Sequence, residues 1–297
     1  MKVLKKDQVQ MMLQVMAVVL LFRFVLFEPL ITVLGLSKPY YFAFLLAVAS
    51  IMYGGVLLYK IVLQEEFPDK HIEQNTEKAY YKYLAVNVIG IGISFFVASS
   101  MGMTYYFGFF LALAAILYLY ITQWRKILLF DNIVYSFIIC FSFFMLVIVD
   151  LMPSLQKQEA LNPMKNQLLM ISLQICTLLW FLYFIKTIVM DLRFMELDIK
   201  HGRKSLATIH GRIVGAHRTT YLAILPLLLI IAFCAIHLNL PLLIGYIGIC
   251  VVLPYLFYLQ KLYKATTTED FEQVNNILNI IIWLTIFSIV VLFFNLK

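Results

Sequence analysis

Apolar runs, each about 20 residues long and so able to cross ~30 Å of hydrocarbon as a helix, follow one another along this chain. They fall near Met11 to Leu36, Tyr40 to Leu63, Leu84 to Met103, Tyr105 to Gln123 and Ile133 to Met152. Four more fall near Leu168 to Met190, Tyr221 to His237, Leu242 to Leu259 and Val274 to Phe294. The pattern predicts a bundle of about nine transmembrane helices, an all-α integral membrane protein. The connections alternate in character. Those on one side are short (Ser37 to Pro39, around Thr104, Asn239 to Pro241), apart from the polar stretch Pro153 to Asn166. On the other side they are longer and charged, and the two largest, near 64–82 and 191–218, are expected to form caps. With no long linker and no internal repeat, residues 1–297 read as a single helical domain.

Composition agrees with that reading. The 297 residues are 63% hydrophobic and 13% charged, more apolar surface than a soluble interior of this size can hide. The first run contains Arg23, Glu28 and Pro29 and lacks a small-residue cleavage site, so it is expected to stay as a span rather than be removed as a signal. Cys140, Cys176, Cys234 and Cys250 all lie inside predicted spans, far apart, and are expected to be packed thiols rather than metal ligands or disulfides.

The net charge of +7 could suggest a nucleic-acid partner, but its distribution points elsewhere. Lys2, Lys5 and Lys6 precede the first run; Lys60, Lys70, Lys78 and Lys82 flank the loop after the second; Arg125 and Lys126 follow the fourth. Lys186, Arg193, Lys200, Arg203, Lys204, Arg212 and Arg218 surround the loop after the sixth, and Lys261 and Lys264 follow the eighth. The opposite side carries Lys38, Lys157, Lys165 and Lys297. This asymmetry predicts a multi-pass protein of the cell (inner) membrane with a cytoplasmic N-terminus, in contact with membrane lipid and with no nucleic acid.

Chemistry concentrates in the polar insert after the sixth run, Asp191 through Gly211, because ionisable residues at a membrane face usually mark a site. If the helix continues through it, Asp191 and Asp198 lie seven residues apart on one face, with Glu196 about 140° around from Asp191. Two such carboxylates can hold one Mg²⁺ through water and phosphate oxygens, and Arg193, Lys200, Arg203 and Lys204 supply positive charge for an anion. Asp191, Arg193, Glu196 and Asp198 can equally be helix-face ion pairs.

This insert resembles the second aspartate motif of the UbiA superfamily of intramembrane prenyltransferases. Asp191, Glu196, Asp198, Gly202, Ser205-Leu206 and Gly211 fall in register with that motif and the segment that follows it. Leu119-Tyr120, Arg125-Lys126 and Asp131-Asn132 resemble the family's segment after the fourth helix. The chain departs from the family elsewhere. After Gly54-Gly55, where the first aspartate motif belongs, stand Tyr59, Lys60, Leu63 and Phe67; in the second motif Phe194 and Leu197 replace an aspartate and a glycine.

The resemblance implies a UbiA-like fold and transfer of an isoprenoid from a prenyl diphosphate to a lipid or aromatic acceptor, with reduced or lost activity once one motif is gone. It implies Asp191 and Asp198 as catalytic residues and Asp191, Glu196 and Asp198 as ligands to Mg²⁺. Lys60, Arg125, Lys126, Arg193, Lys200, Arg203 and Lys204 are the expected diphosphate ligands, the first three as fixed cations that compensate for the missing motif. Lys60 can instead snorkel to the border. Glu65, Glu66 and Asp69 can act as displaced metal ligands or as a solvated surface. The alternative function is a non-catalytic membrane scaffold or lipid-binding subunit, with a membrane-protein partner.

Overall fold

The structure, a computed structural model, describes residues 2–31, 34–66, 76–156, 163–200 and 204–297. Every backbone polar group must be satisfied within its own segment in hydrocarbon, so runs that are apolar on all sides fold as helices. The first span is α1 (Lys2–Leu20), continued by a π-helical stretch, Leu21–Phe27, and the short turn Glu28–Leu30. There follow α2 (Lys38–Glu66), α3 (Thr76–Ser100), α4 (Phe107–Thr122), α5 (Phe130–Gln156) and α6 (Pro163–Arg193). A short α7 (Met195–Lys200) precedes α8 (Leu206–Leu222) and α9 (Ile224–Ile236), which together make the seventh span. The eighth is α10 (Pro241–Tyr246), a second π-helical stretch Ile247–Val252, and α11 (Leu253–Lys264); α12 (Thr268–Leu296) closes the chain. Among the described residues nine helical stretches are long and apolar enough to cross a membrane, as the hydrophobic pattern predicts.

Both π-helical stretches end just before a proline, Pro29 in one case and Pro254 in the other. A proline inside a helix has no N–H to donate, and its ring collides with the carbonyl four residues back. A widened turn relieves that collision without ending the span.

The bundle is built around α6. It packs against α5 and α12 and against α8 and α9, while α2, α3 and α4 form a neighbouring group joined through α5. Spans five and six are the most enclosed, and spans three and four leave most of their surface to lipid. Gly54 lets α2 and α3 approach: a Cβ there would lie 2.3 Å from the Asn87 amide.

Far from the charged connections, a buried ion pair ties the first span to α5. Arg23 Nη1 donates to both carboxylate oxygens of Asp150 at 2.7 Å, and Nη2 donates to the Leu36 carbonyl at 2.8 Å. Asp150 Oδ1 also accepts from the Leu36 amide at 3.1 Å, and the Asp150 carbonyl from the Gly35 amide at 2.8 Å. One arginine and one aspartate thus fix the loop before α2. Glu28, at the end of the first span, pairs with Lys38 at 2.7 Å.

Removing one partner of a buried pair leaves the other charged and unanswered. Arg23→Met should therefore lower stability by about 3–5 kcal/mol. Arg23→Met combined with Asp150→Leu should recover most of that loss in a detergent thermal-unfolding series. Equal losses in the single and double variants would show that the pair does not act as a unit.

Candidate functional site at the charged end of the bundle

Two departures from the expected geometry appear where α6 ends. The helix does not run unbroken through the motif: it stops at Arg193 and restarts as α7 at Met195. Backbone bonds from Phe194 to the Met190 carbonyl (2.9 Å) and from Asp198 to the Phe194 carbonyl (3.1 Å) carry the chain across the break. The shared face inferred for Asp191 and Asp198 assumed one unbroken helix; a turn at Phe194 interrupts it, and both carboxylates are buried. Nor is 191–218 a single polar loop. Ser205 and Thr208 cap each other reciprocally, each side chain on the other's backbone N–H, and start α8 at Leu206. Gly211, in register with a family glycine, bends α8 at φ 76°, a conformation that a Cβ disfavours.

Asp191 is buried, and its Oδ2 accepts a 2.8 Å bond from Asn132 Nδ2 at the start of α5. Asp131, beside Asn132, is also buried, as is Asp198. The backbone that delivers Asp131 and Asn132 is strained, because Leu129 sits at φ 61°, a left-handed conformation costly for a branched side chain. Asn132 is the partner that sequence spacing could not supply; its only signal was its place in the family-like segment after the fourth span.

Arg193 turns to other neighbours. It is buried, bonds Asp7 Oδ2 at 3.1 Å and pairs with Glu272 Oε2 at 2.9 Å. Asn275 Nδ2 holds the second oxygen of Asp7 at 3.2 Å. Arg193 thus joins α6 to α1 and α12. Glu196 faces outward and pairs with Arg212 of α8 at 3.1 Å. Lys204 is exposed.

Lys60 is exposed near the end of α2. Beside it, the Arg125 guanidinium lies 5.4 Å from the centre of the Tyr59 ring, so Arg125 reaches the position left by the missing motif. Lys126 is exposed next to it. Of the expected residues, the structure brings Asp191 to Asn132 and Arg125 to Tyr59, and it sends Arg193 and Glu196 elsewhere. Arg203, His201, Gly202, Asp69 and Phe67, with the side chains of Lys200, Glu65 and Glu66, lie outside the described residues.

Among the described residues no three His, Cys, Asp or Glu side chains converge to hold a metal ion. A protein-built Mg²⁺ cage does not fit. What fits is the looser mode this cation prefers, one or two carboxylates with phosphate oxygens and water completing the shell. Asp191, with one oxygen fixed by an amide as outer-shell partners fix a ligand, suits that mode. A cleft of about 420 Å³ opens at the other end of the bundle, between the turn before α4 (Tyr105, Tyr106) with the start of α4 (Gly108, Phe109) and the end of α5 (Ile148, Met152).

His237 ends α9 at that other end, where its Nε2 meets Gln174 Oε1 at 2.6 Å. The four cysteines are free thiols, and Cys140 and Cys176 are buried.

No protein-family model matches the sequence, and no curated protein matches it. Among solved structures the chain is similar to a digeranylgeranylglyceryl phosphate synthase described in membranes. The TM-score is 0.67 at 16% identity, over 96% of this chain and 95% of that one. The chain therefore shares the fold of that membrane synthase, and the all-α transmembrane bundle expected from the sequence is the fold found.

The ion pairs made by Arg193 and by Glu196 differ in burial and should differ in weight. Arg193→Ala strands the buried Asp7 carboxylate and should cost about 3 kcal/mol or more, whereas Glu196→Ala breaks an exposed pair worth under about 1 kcal/mol. Unfolding midpoints of the two variants in one detergent compare them directly. A larger loss for Glu196→Ala would contradict the assignment.

Proposed function

We propose that this UbiA-type bundle is an intramembrane transferase moving an isoprenoid from a prenyl diphosphate to a lipid or aromatic acceptor, at the mouth between α2, α5 and α6. One observation carries the reading: Asp191 is kept buried at the end of the sixth span with one oxygen pinned by Asn132, in a fold shared with a membrane prenyltransferase along nearly its whole length. A carboxylate at a membrane face is expensive, and one oriented by an amide is suited to a ligand role.

On this reading Asp191, with Asp198, holds a single Mg²⁺. A divalent cation at that place supplies Lewis-acid stabilisation of the departing diphosphate. The residues of the chain do the remainder. Asn132 orients Asp191, and Arg125, Lys126 and Lys60 face the diphosphate as fixed cations in place of the first motif. Arg193 and Glu196 drop out of the ligand set, since each is committed to an ion pair. On the same reading, supported by the asymmetry of Lys and Arg between the two ends, the charged end and the N-terminus face the cytoplasmic side of the cell (inner) membrane.

A second reading is a lipid-binding or scaffold subunit with the same fold and a membrane-protein partner. The aromatic cleft at the far end favours it, because its volume suits a small-molecule or lipid-tail ligand.

Purified protein with Mg²⁺ and a labelled prenyl diphosphate should release diphosphate when an acceptor is present. Asp191→Ala should abolish release, Asn132→Leu should weaken Mg²⁺ dependence by about 10–100-fold, and Glu196→Ala should leave it within a few-fold. Absence of turnover across chain lengths and acceptors, in protein that retains a tightly bound lipid, would favour the scaffold.

A further inference from the structure

Three helix faces meet along α6 on the side away from Asp191. α1 contributes Asp7 and Gln14, α6 contributes Tyr183, Lys186 and Arg193, and α12 contributes Glu272, Asn275 and Asn279. The spacings are three, four or seven residues within each helix, so each set lies along one side. The contacts tie the faces together at both ends. Nearer the mouth, Arg193 meets Asp7 and Glu272, and Asn275 meets Asp7. Deeper, the Tyr183 hydroxyl donates to Gln14 Oε1 at 3.0 Å, and Gln14 Nε2 reaches the Asn279 carbonyl at 3.4 Å.

Between these two layers sits Lys186, with no exposed surface. It lies seven residues from Arg193, about 10 Å further along the helix. By charge count it belongs to the loop after the sixth span; the structure instead places it inside α6, where it cannot snorkel to the border. Its Nζ has no hydrogen-bond partner among the described residues and lies 5.7 Å from the centre of the Tyr183 ring. Asn279 Oδ1, Asn279 Nδ2 and Asn275 Oδ1 are likewise buried without a partner.

These orphaned groups decide what the seam binds. Lys186 needs acceptors, the two amide oxygens need donors, and the Asn279 amide nitrogen needs an acceptor. An anion would satisfy only the donors and a metal cation only the acceptors. A ligand that both donates and accepts satisfies all of them, and the full enclosure of Lys186 restricts it to the smallest such molecule. We propose that the seam between α1, α6 and α12 is an internal hydration site, in which ordered water bound between Lys186, Asn275 and Asn279 solvates the ammonium inside the bundle. The site is independent of the transferase reading. It makes Lys186 a protonatable group in contact with water within a span, beneath a lid formed by Arg193, Asp7 and Asn275.

Radiolytic hydroxyl-radical labelling of the full chain in detergent tests this, because radicals formed from bound water oxidise the side chains beside it. Tyr183 should be oxidised at least about fivefold faster than Tyr41 and Tyr255, which are equally enclosed but bond their hydroxyls to the carbonyls of Val19 and Ala223. Lys186→Met, which keeps the bulk and removes the charge, should bring Tyr183 down to their rate. A Tyr183 rate no higher than those two in the native chain, or one unchanged by Lys186→Met, overturns the proposal. Should Lys186→Met fail to fold, the native comparison decides alone.

Discussion

Arg193, held between Asp7 and Glu272, sets the rotation of the sixth span about its own axis, and the polar chemistry of the bundle follows from that rotation. Two residues along an α-helix turn about 200°, so fixing Arg193 against α1 and α12 turns Asp191 the opposite way, to α5, where Asn132 meets it. Seven residues turn about 700°, within ~20° of whole turns, so Lys186 faces the same seam as Arg193. One arginine held by two carboxylates thereby sorts the polar groups of α6 into a carboxylate on one side and two cations on the other.

The opposite end of the bundle uses the same device. Arg23 and Asp150 are answered by each other and by the backbone of the loop before α2, so neither charge faces lipid. In hydrocarbon a misplaced charge costs far more than a misplaced leucine, so such pairs exclude wrong helix rotations more strongly than they add stability. Apolar contact is similar in many rotations of a uniformly greasy helix. Paired charges are satisfied in one.

The span pattern was legible because it rests on segment length and apolarity, which are local. The asymmetry of charge was legible for the same reason, with Lys186 the exception, since a residue near a span end reads as a border lysine whichever way its helix faces. What the sequence could not yield were partners. Arg23 and Asp150 are 127 residues apart, and Asn132 and Asp191 are 59 apart; no periodicity links them. The break at Phe194 was hidden too, because Arg-Phe-Met carries no glycine or proline to announce it. The start of α8 at Leu206 lay inside a stretch polar enough to pass for loop, although the Ser205–Thr208 box was present in it. The family resemblance pointed to the end of α6 and to the segment before α5 by register. The ion pairs of Arg193 and Glu196 depend on α1, α8 and α12, which register does not show.

On the transferase reading, the replacement at the end of α2 has a physical logic. A diphosphate leaving group must meet positive charge that grows more favourable as the bond breaks. An aspartate motif provides this indirectly, through a metal that the carboxylates hold. Here a neutral Tyr59 stands beneath the Arg125 guanidinium, so the positive charge at that position belongs to the protein itself. Restoring an aspartate at residue 59 would therefore not rebuild a metal site. It would neutralise Arg125, and the mouth would lose the cation without gaining the other carboxylates a metal requires.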